Sequence, residues 1–380
     1  MPPSPNQHLL NTSWTLHRLS PLHHGKENQS LLDNPAALNT YATRLRDQLT
    51  GNAVSGISAS AADDESLSRT GALKTCVWEI LPSLSLLDNS AAAFTATDHS
   101  TGVGISVTLE YENITYKAAL LAPLPGDDAS SSDRRKGKGR QREPSISTST
   151  HLPLLMTRFP NPLRQTFLSF LSANFDTYVS NLRLSSNFMC SALETYLYVL
   201  NPGLDDSDSE TEPVPDRLAQ KQILEDLVKE LQLTVAFSPA VAPALRSLNV
   251  NVPRASLGKI LLPADPGSES SSVLKGLSNY IRAQLALDLD LAGDSEDSAI
   301  VKQHVRVSKI ACAGFNIAGE GRLKLVGQAL GSGGGEEGGG EDEGGSGGLS
   351  EKSRLGLRAN EALLRAVIRR AVATGENQAS

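Results

Sequence analysis

The most regular hydrophobic pattern in the chain lies between residues 159 and 200, where apolar side chains recur at the three- and four-residue spacing of helices. This segment holds more than half of the 7 Tyr and 8 Phe residues. Asn161-Pro162 predicts the start of a first helix, and Ser185 or Ser186 predicts the start of a second, which ends before Pro202-Gly203. Since aromatic side chains bury the largest areas, we expect this helical pair to form a core with another layer.

The residues before this segment predict a meander that carries one helix. Apolar and polar residues alternate in Ser13–Leu19, which indicates a strand, and Asn34-Pro35 begins a helix that ends at Gly51. Further strands are predicted at 76–80, 103–111 and 116–120, the last two joined by a turn at Glu112-Asn113. Residues 13–122 are therefore interpreted as an N-terminal strand, helix and meander part.

The rest of residues 151–327 predicts a main part in which helices and strands are mixed. Helical spacing indicates helices at 217–230 and 273–284. A short apolar run indicates a strand at 152–156, and further strands are predicted at 231–237, 301–312 and 322–326. A Gly-rich turn at 319–321 makes the last two strands a candidate hairpin. Leucines at every second position from 285 to 291 form a row that should face a core or a partner.

Three stretches of biased composition interrupt these patterns and are expected to be disordered. They are a linker at 123–150 with a basic run at 134–142, an acidic loop at 203–216, and a Gly/Glu tether at 328–350. The basic run fits a nuclear localisation signal, an arm that touches DNA, or a solvated loop. Residues 351–373 then predict a basic amphipathic helix, which we expect to dock on the fold, with nucleic acid or a membrane as the alternatives.

The net charge of −7 hides an uneven distribution. The chain has 42 Asp and Glu residues against 35 Lys and Arg, but eleven of the acids lie in the stretches 205–216 and 336–343. Without those stretches the chain is near neutral or slightly basic. The acidic balance of the whole chain therefore does not exclude contact with nucleic acid.

The sequence contains no recognisable catalytic or metal-binding motif. It has no phosphate-binding Gly-rich loop, no dinucleotide fingerprint, no nucleophile elbow and no His pair at helical metal-ligand spacing. Cys76, Cys190 and Cys312 are isolated, which suits buried thiols in a reducing compartment, and His23 and His24 are expected to be solvated. We predict no catalytic residue, no metal site, no cofactor, no signal peptide and no membrane span, and a protein that is not an enzyme.

Several segments, in the same order along the chain, resemble the CENP-L family of inner-kinetochore subunits. The opening segment, 14–49, is similar to the family's W-T-L-Y-x-(V/L)-(S/T)-P-L strand, polar turn and helix. Segment 152–189 resembles the family's L-P-L, F-D-x-Y and N-x-S/N-W/F-M region, and LQLTVAFSP at 231–239 resembles the strand that follows it. HVRVSKIACAG and GRLKLV resemble the closing strands, and the stretches of biased composition fall between family segments, as would suit a fungal member.

The resemblance implies an α+β fold with a curved, largely antiparallel sheet and helices packed on one side, interrupted by disordered insertions. It implies a non-enzymatic scaffold of the constitutive centromere-associated network, located in the nucleus at the centromere and kinetochore. The implied partners are a CENP-N-like subunit that extends the sheet, other inner-kinetochore subunits, a second copy of the chain, and CENP-A nucleosomes or centromeric DNA. Main-chain pairing at a sheet edge supplies affinity in such complexes.

Candidate site residues follow from these implied partners. We place the partner surface on Val305, Val307, Ile310 and Cys312, with ordinary core positions as the alternative. The candidate DNA contacts, all to phosphates, are the basic run at 134–142, Lys302, Arg306, Lys309, Arg365, Arg369 and Arg370. The competing hypothesis is a soluble α+β enzyme, or a small-ligand protein, with a site assembled from loops; a deep pocket with convergent polar residues would favour it.

Overall fold

The structure is a computed structural model that describes residues 9–25, 31–54, 70–84, 86, 103–123, 148–200, 217–261, 273–287, 289, 291, 304–327 and 351–376. The predicted tether at 328–350, the predicted acidic loop at 203–216 and most of the predicted linker at 123–150 therefore lie outside the described residues. The strands are β1 (Ser13–Leu19), β2 (Leu22–His23), β3 (Leu73–Leu81), β4 (Gly104–Tyr111), β5 (Thr115–Leu121), β6 (Ser149–Thr150), β7 (Leu154–Arg158), β8 (Val179–Asn181), β9 (Leu231–Phe237), β10 (Ser247–Val252), β11 (Val305–Ala311), β12 (Phe315–Ala318) and β13 (Arg322–Leu325). The helices are α1 (Pro35–Val54), α2 (Asn161–Phe175), α3 (Ser186–Leu200), α4 (Arg217–Val228), α5 (Arg254–Leu261), α6 (Val273–Leu285) and α7 (Glu351–Glu376).

Eleven of these strands form one antiparallel sheet. Its order is β10-β9-β11-β12-β13-β1-β7-β5-β4-β3, and β8 pairs with the second half of β1. β2 and β6 make a separate two-stranded ladder. The α+β class and the largely antiparallel sheet implied by the sequence are confirmed.

The sheet divides the hydrophobic residues between two cores. Successive residues of a strand point to opposite faces, and on β7 Leu154 and Met156 enter the first core whereas Leu155 enters the second. Helices α3, α4, α5, α6 and α7 contribute to the first core, and α1 and α2 contribute to the second. The helices, which the family resemblance implied on one side of the sheet, thus lie on both faces.

The aromatic segment that dominates the sequence is itself split between the two faces. In α2, Phe167, Phe170 and Phe175 surround Trp78 of β3, with ring centroids 6.1–6.4 Å from the indole. In α3, Tyr196 instead contacts Phe315 of β12 at 4.6 Å. Strand β8 separates the two helices and pairs with β1, so the predicted helical pair exists but each helix packs on its own face of the sheet.

Five strands lie in places where the sequence pattern predicted none: the short β2, β6 and β8, and also β10 and β12. β12 forms within the segment read as one turn between two strands, so β11 and β13 each pair with β12 and not with each other. β10 forms a hairpin with β9. The leucine row at 285–291 forms no strand in its described residues; Leu289 is buried, and Leu287 and Leu291 pack against the first core.

Helix α7 docks on its own chain, with six fully buried residues facing α3 and the sheet: Ala359, Leu363, Leu364, Val367, Ile368 and Ala371. Lys352 donates to Asp226 of α4 at 2.7 Å, and the Asn360 amide donates to the Val326 carbonyl at 3.0 Å. These contacts fix both the start and the middle of α7.

Two buried histidines are part of the fold. His24 is buried, with Nε2 3.0 Å from the Thr150 hydroxyl, so the expectation that it is solvated is wrong, whereas His23 is exposed. His17 of β1 is 1% exposed, and its Nε2 lies 3.2 Å from the Thr157 hydroxyl. Burial, aided by the positive charge of Arg164, lowers the pKa of His17 from 6.5 to about 4.

The lowered pKa of His17 predicts a loss of stability in mild acid. Because the unfolded chain binds a proton near pH 6.5 and the folded chain only near pH 4, the contribution of neutral His17 is complete above about pH 6.5 and is lost as the pH falls towards 4. We expect His17→Gln to remove about 3 kcal/mol of the difference in unfolding free energy between pH 8 and pH 4. Urea unfolding of both proteins at several pH values measures this, and parallel pH profiles would contradict it.

Candidate nucleic-acid interface

One half of the sheet keeps an uncovered face. Over β10, β9, β11, β12 and β13, the first core occupies one side, and the residues that point to the other side are polar, small or basic. The strand registers place them in two rows across the sheet. The first row is Asn249, Thr234, Lys309, Ala318 and Arg322, and the second is Asn251, Gln232, Ala311, Asn316 and Lys324. We call this surface the open face.

A β-bulge in β11 determines which side chains reach the open face. Val307 pairs with Val235 and Lys309 with Thr234, so Ser308 is an extra residue in the ladder. Without an extra residue, side chains three positions apart would point to opposite faces. The bulge therefore lets Arg306 and Lys309 share the open face while Val307 and Ile310 both remain in the core.

The bulge is held by hydrogen bonds from three directions. The Ser308 hydroxyl donates to the Thr234 carbonyl at 3.1 Å, and the Ser186 hydroxyl at the start of α3 donates to the Val307 carbonyl at 3.1 Å. The Gly319 amide donates to the Ser308 carbonyl at 2.9 Å. β9, α3 and the end of β12 together fix the irregularity.

The open face forms part of a groove of about 1070 Å³ that extends to the start of α3. Its floor includes small residues such as Ala318 and Gly319, which leave room between the long side chains. Six basic residues line it: Arg183, Arg306, Lys309, Arg322, Lys324 and Arg370. Among its lining residues the one carboxylate is Glu320, which lies 3.8 Å from Arg322 and is 80% exposed. We call it the basic groove; its excess of positive charge suits a ligand with several negative charges.

The structure brings together three of the predicted DNA contacts and separates the others. Arg306, Lys309 and Arg370 line the basic groove, although they come from β11 and α7. Arg365 pairs with Glu361 on α7, and Arg369 is exposed but is not among the lining residues. Lys302 and the basic run at 134–142 lie outside the described residues.

Three groove cations were not among the sequence-based candidates: Arg183, Arg322 and Lys324. For two of them a signal was present, because Arg322 and Lys324 alternate with Leu323 and Leu325 and must share a face of β13. Arg183 lies in the link between β8 and α3, and no periodicity could have placed it beside them.

The four residues predicted to bind a partner are positions of the core. Val307 and Ile310 are buried, and Val305 and Cys312 pack partly buried against the same first core. β11 also lies between β9 and β12, so both of its edges are already paired. The alternative interpretation of these residues, as ordinary core positions, fits the structure.

The free cysteines are unsuited to thiolate chemistry at neutral pH. Burial raises the pKa of Cys76 to about 11, of Cys190 to about 12 and of Cys312 to about 11, so the thiols stay protonated. Within the described ranges, no three potential ligand side chains form a group that could hold a metal ion. Among the helices of the described part of the chain, none combines the length and the apolar character needed to cross a bilayer.

The fold and the groove together define an α+β protein with an open, cationic sheet face. Comparison with protein families is more specific: the family model described as Centromere protein L, CENP-L, matches residues 8–372, and the chain belongs to this family. A search of curated proteins found no match. CENP-L proteins are structural kinetochore subunits, and this chain is accordingly a nuclear protein of the centromere and kinetochore.

The bulge geometry predicts that β11 tolerates deletion of Ser308, because this residue is the extra one in the ladder. Deletion places Val307 and Ile310 two positions apart, as in a regular strand, so both stay in the core. The loss is limited to the hydrogen bonds of Ser308, and we expect the unfolding free energy to fall by about 1 to 2 kcal/mol.

Deletion of Asn316 from β12, whose ladder has no bulge, is the control. It makes the buried Phe315 and Ile317 neighbours, so one of them must turn to the open face, and we expect a loss of about 3 kcal/mol or more. Urea unfolding compares the two deletions, and equal losses would contradict the bulge at Ser308.

Proposed function

We propose that this kinetochore subunit holds DNA through phosphate contacts in the basic groove and pairs with a CENP-N-like subunit through the free edge of its sheet. In this role it is a scaffold that helps attach the centromere-associated network to CENP-A nucleosomes. The main support for DNA binding is the basic groove, which is lined by six cations and one carboxylate. Such contacts carry no base information, so binding is expected to be largely independent of sequence and strongly dependent on salt.

The layout of the groove supports a backbone ligand over a small one. Lys309 and Arg322 lie two strands apart along one row, which corresponds to about 10 Å. Arg183 and Arg370 add charges beyond the strands, on the link before α3 and on α7. Cations spread over this distance match a run of phosphates along a polynucleotide better than a single compact anion.

The sheet edge at β10 is the partner surface that the structure favours. Within the described residues, no strand pairs with its outer side. The segment Ser247–Val252 contains no charged residue and no proline, and its pairing with β9 has no bulge. Edges without charge, proline or bulge are open to pairing with another chain.

The other end of the sheet is better protected. β3 carries Lys74 and Glu79, has a bulge between Leu73 and Thr75, and lies against α1. Beside β10, by contrast, Val241 and Leu245 of the β9–β10 loop are 58% and 47% exposed. An uncharged edge next to exposed apolar residues suits an incoming strand with its own apolar side chains.

The DNA proposal predicts a specific effect of three groove cations. We expect the triple variant Arg306→Ala, Arg322→Ala, Lys324→Ala to bind a random-sequence duplex about 10 to 100 times more weakly at about 0.1 M salt. The slope of log affinity against log salt should fall by about 3, since each lost phosphate contact lowers it by about 1. Fluorescence anisotropy at several salt concentrations measures both quantities.

The matched control removes three exposed cations from the opposite half of the molecule: Arg44→Ala, Arg46→Ala, Lys74→Ala. Its net charge equals that of the groove variant, but its salt slope should stay close to that of the wild type. An equal fall in both variants would show that the total charge, and not the groove, determines binding.

The edge proposal predicts that a proline at residue 251 blocks partner binding. The Phe237 amide donates to the Arg246 carbonyl at 3.0 Å, so by alternation the amides of Ser247, Asn249 and Asn251 point away from β9. Asn251→Pro removes one outward donor without breaking the β9–β10 ladder, and we expect at least a ten-fold loss of affinity for a CENP-N-like subunit.

Asn251→Ala is the control, because it loses the side chain and keeps the amide. Co-expression followed by size-exclusion chromatography with mass determination measures the complex, and titration of the purified subunits measures the affinity. A complex equally stable with both variants would place the partner surface elsewhere.

A further inference from the structure

Two elements that line the basic groove, β13 and α7, are joined by an acidic segment of the same chain. β13 supplies Arg322 and Lys324, and α7 supplies Arg370. Between them, the sequence runs through an acidic tract: Glu336, Glu337, Glu341, Asp342 and Glu343. Its five negative charges equal the excess of positive charge among the residues that line the groove.

The length of the connection allows this tract to return to the groove. The Asn360 amide contacts the Val326 carbonyl, so the chain leaves β13 beside the middle of α7. Residues 351 to 360 of the helix span about 14 Å, so α7 begins roughly that far from the same point. The 23 residues from 328 to 350 could extend about 75 Å, which leaves ample length to turn back over the open face.

The other acidic stretch of the chain, 205–212, is attached in a less suitable place. It follows Leu200 at the end of α3, whereas the groove lies at the start of that helix, where Ser185 and Ser186 line it. The 15 residues of α3 put about 22 Å between these points, so the stretch is attached about that far from the groove, whereas residues 336–343 follow β13, which itself lines the groove.

We propose that the tract 336–343 binds in the basic groove of its own chain and competes there with the phosphates of a nucleic acid. Charge complementarity supports an acidic occupant, and attachment close to Lys324 favours this tract over the equally charged stretch 205–212. The proposal concerns the groove that we assign to DNA and so rests in part on that assignment. A tethered competitor acts at a local concentration of about millimolar, so even weak pairing lowers the apparent affinity for DNA.

The first arm of the test neutralises the tract. The tract variant carries Glu336→Gln, Glu337→Gln, Glu341→Gln, Asp342→Asn and Glu343→Gln; the control variant carries Asp205→Asn, Asp206→Asn, Asp208→Asn, Glu210→Gln and Glu212→Gln. Both change the net charge by the same amount. We expect the tract variant to bind a 30-base-pair random duplex about ten times more tightly at about 50 mM salt, and the gain to vanish near 0.5 M. Equal gains in both variants would overturn the proposal.

The second arm does not depend on DNA binding. A carbodiimide joins a carboxylate to a lysine amine in direct contact, and in the full-length wild-type chain we expect products between residues 336–343 and Lys309 or Lys324. Adding the duplex should suppress them. Cross-linked products in a protein that does not bind DNA would support the intramolecular contact and contradict the assignment of the groove to DNA. DNA binding by the wild type without such products would contradict the intramolecular contact and leave the assignment to DNA intact.

Discussion

The structure depends on the double pairing of β1. This seven-residue strand from the start of the chain pairs with β7 on one side and with β13 and then β8 on the other. Its Trp14 and Leu16 enter the first core, Leu19 enters the second, and the Trp14 indole donates to the Leu9 carbonyl at 3.0 Å. Because the two halves of the sheet meet through this strand, the sheet is continuous only once the N-terminal β1 pairs with the C-terminal β13. Contacts so distant in sequence make a slow, cooperative assembly the expectation.

The same arrangement explains why one sheet face is open. Helices α1 and α2 cover the second core on one face of the half that runs from β1 to β3, and α7 with its neighbours covers the first core, which lies on the other face and extends from β10 to β5. The chain has no further described helix to cover the remaining side of β9 to β13, so the residues there are hydroxyl, amide, small or basic. A polar face of this kind costs nothing to expose, and a cluster of cations on it is tolerated because water screens their repulsion.

The two surfaces proposed for this kinetochore subunit lie at different places on the sheet. The partner edge lies at β10, at the end of the sheet, and the basic groove lies on the face beside it, so a strand added to β10 would extend the same open face. Asn249 and Asn251 of β10 already continue the polar rows of the groove. A partner bound there would lengthen the surface that we assign to DNA without covering it.

The sequence by itself determined most of the local elements and the family. Asn161-Pro162 begins α2 almost where predicted, the alternation in Ser13–Leu19 forms β1, and the ordered segments identify CENP-L. Local periodicity suffices for these because each depends on neighbours in the chain. It did not decide at β11 whether Val307 and Ile310 belong to a partner surface or to the core, and it gave no reason for Arg306 and Lys309, three positions apart, to share a face. Only the tertiary structure decided both questions, since the bulge at Ser308 is fixed by β9, α3 and β12, and Arg183 and Arg370 reach the groove from elements that are remote in the chain.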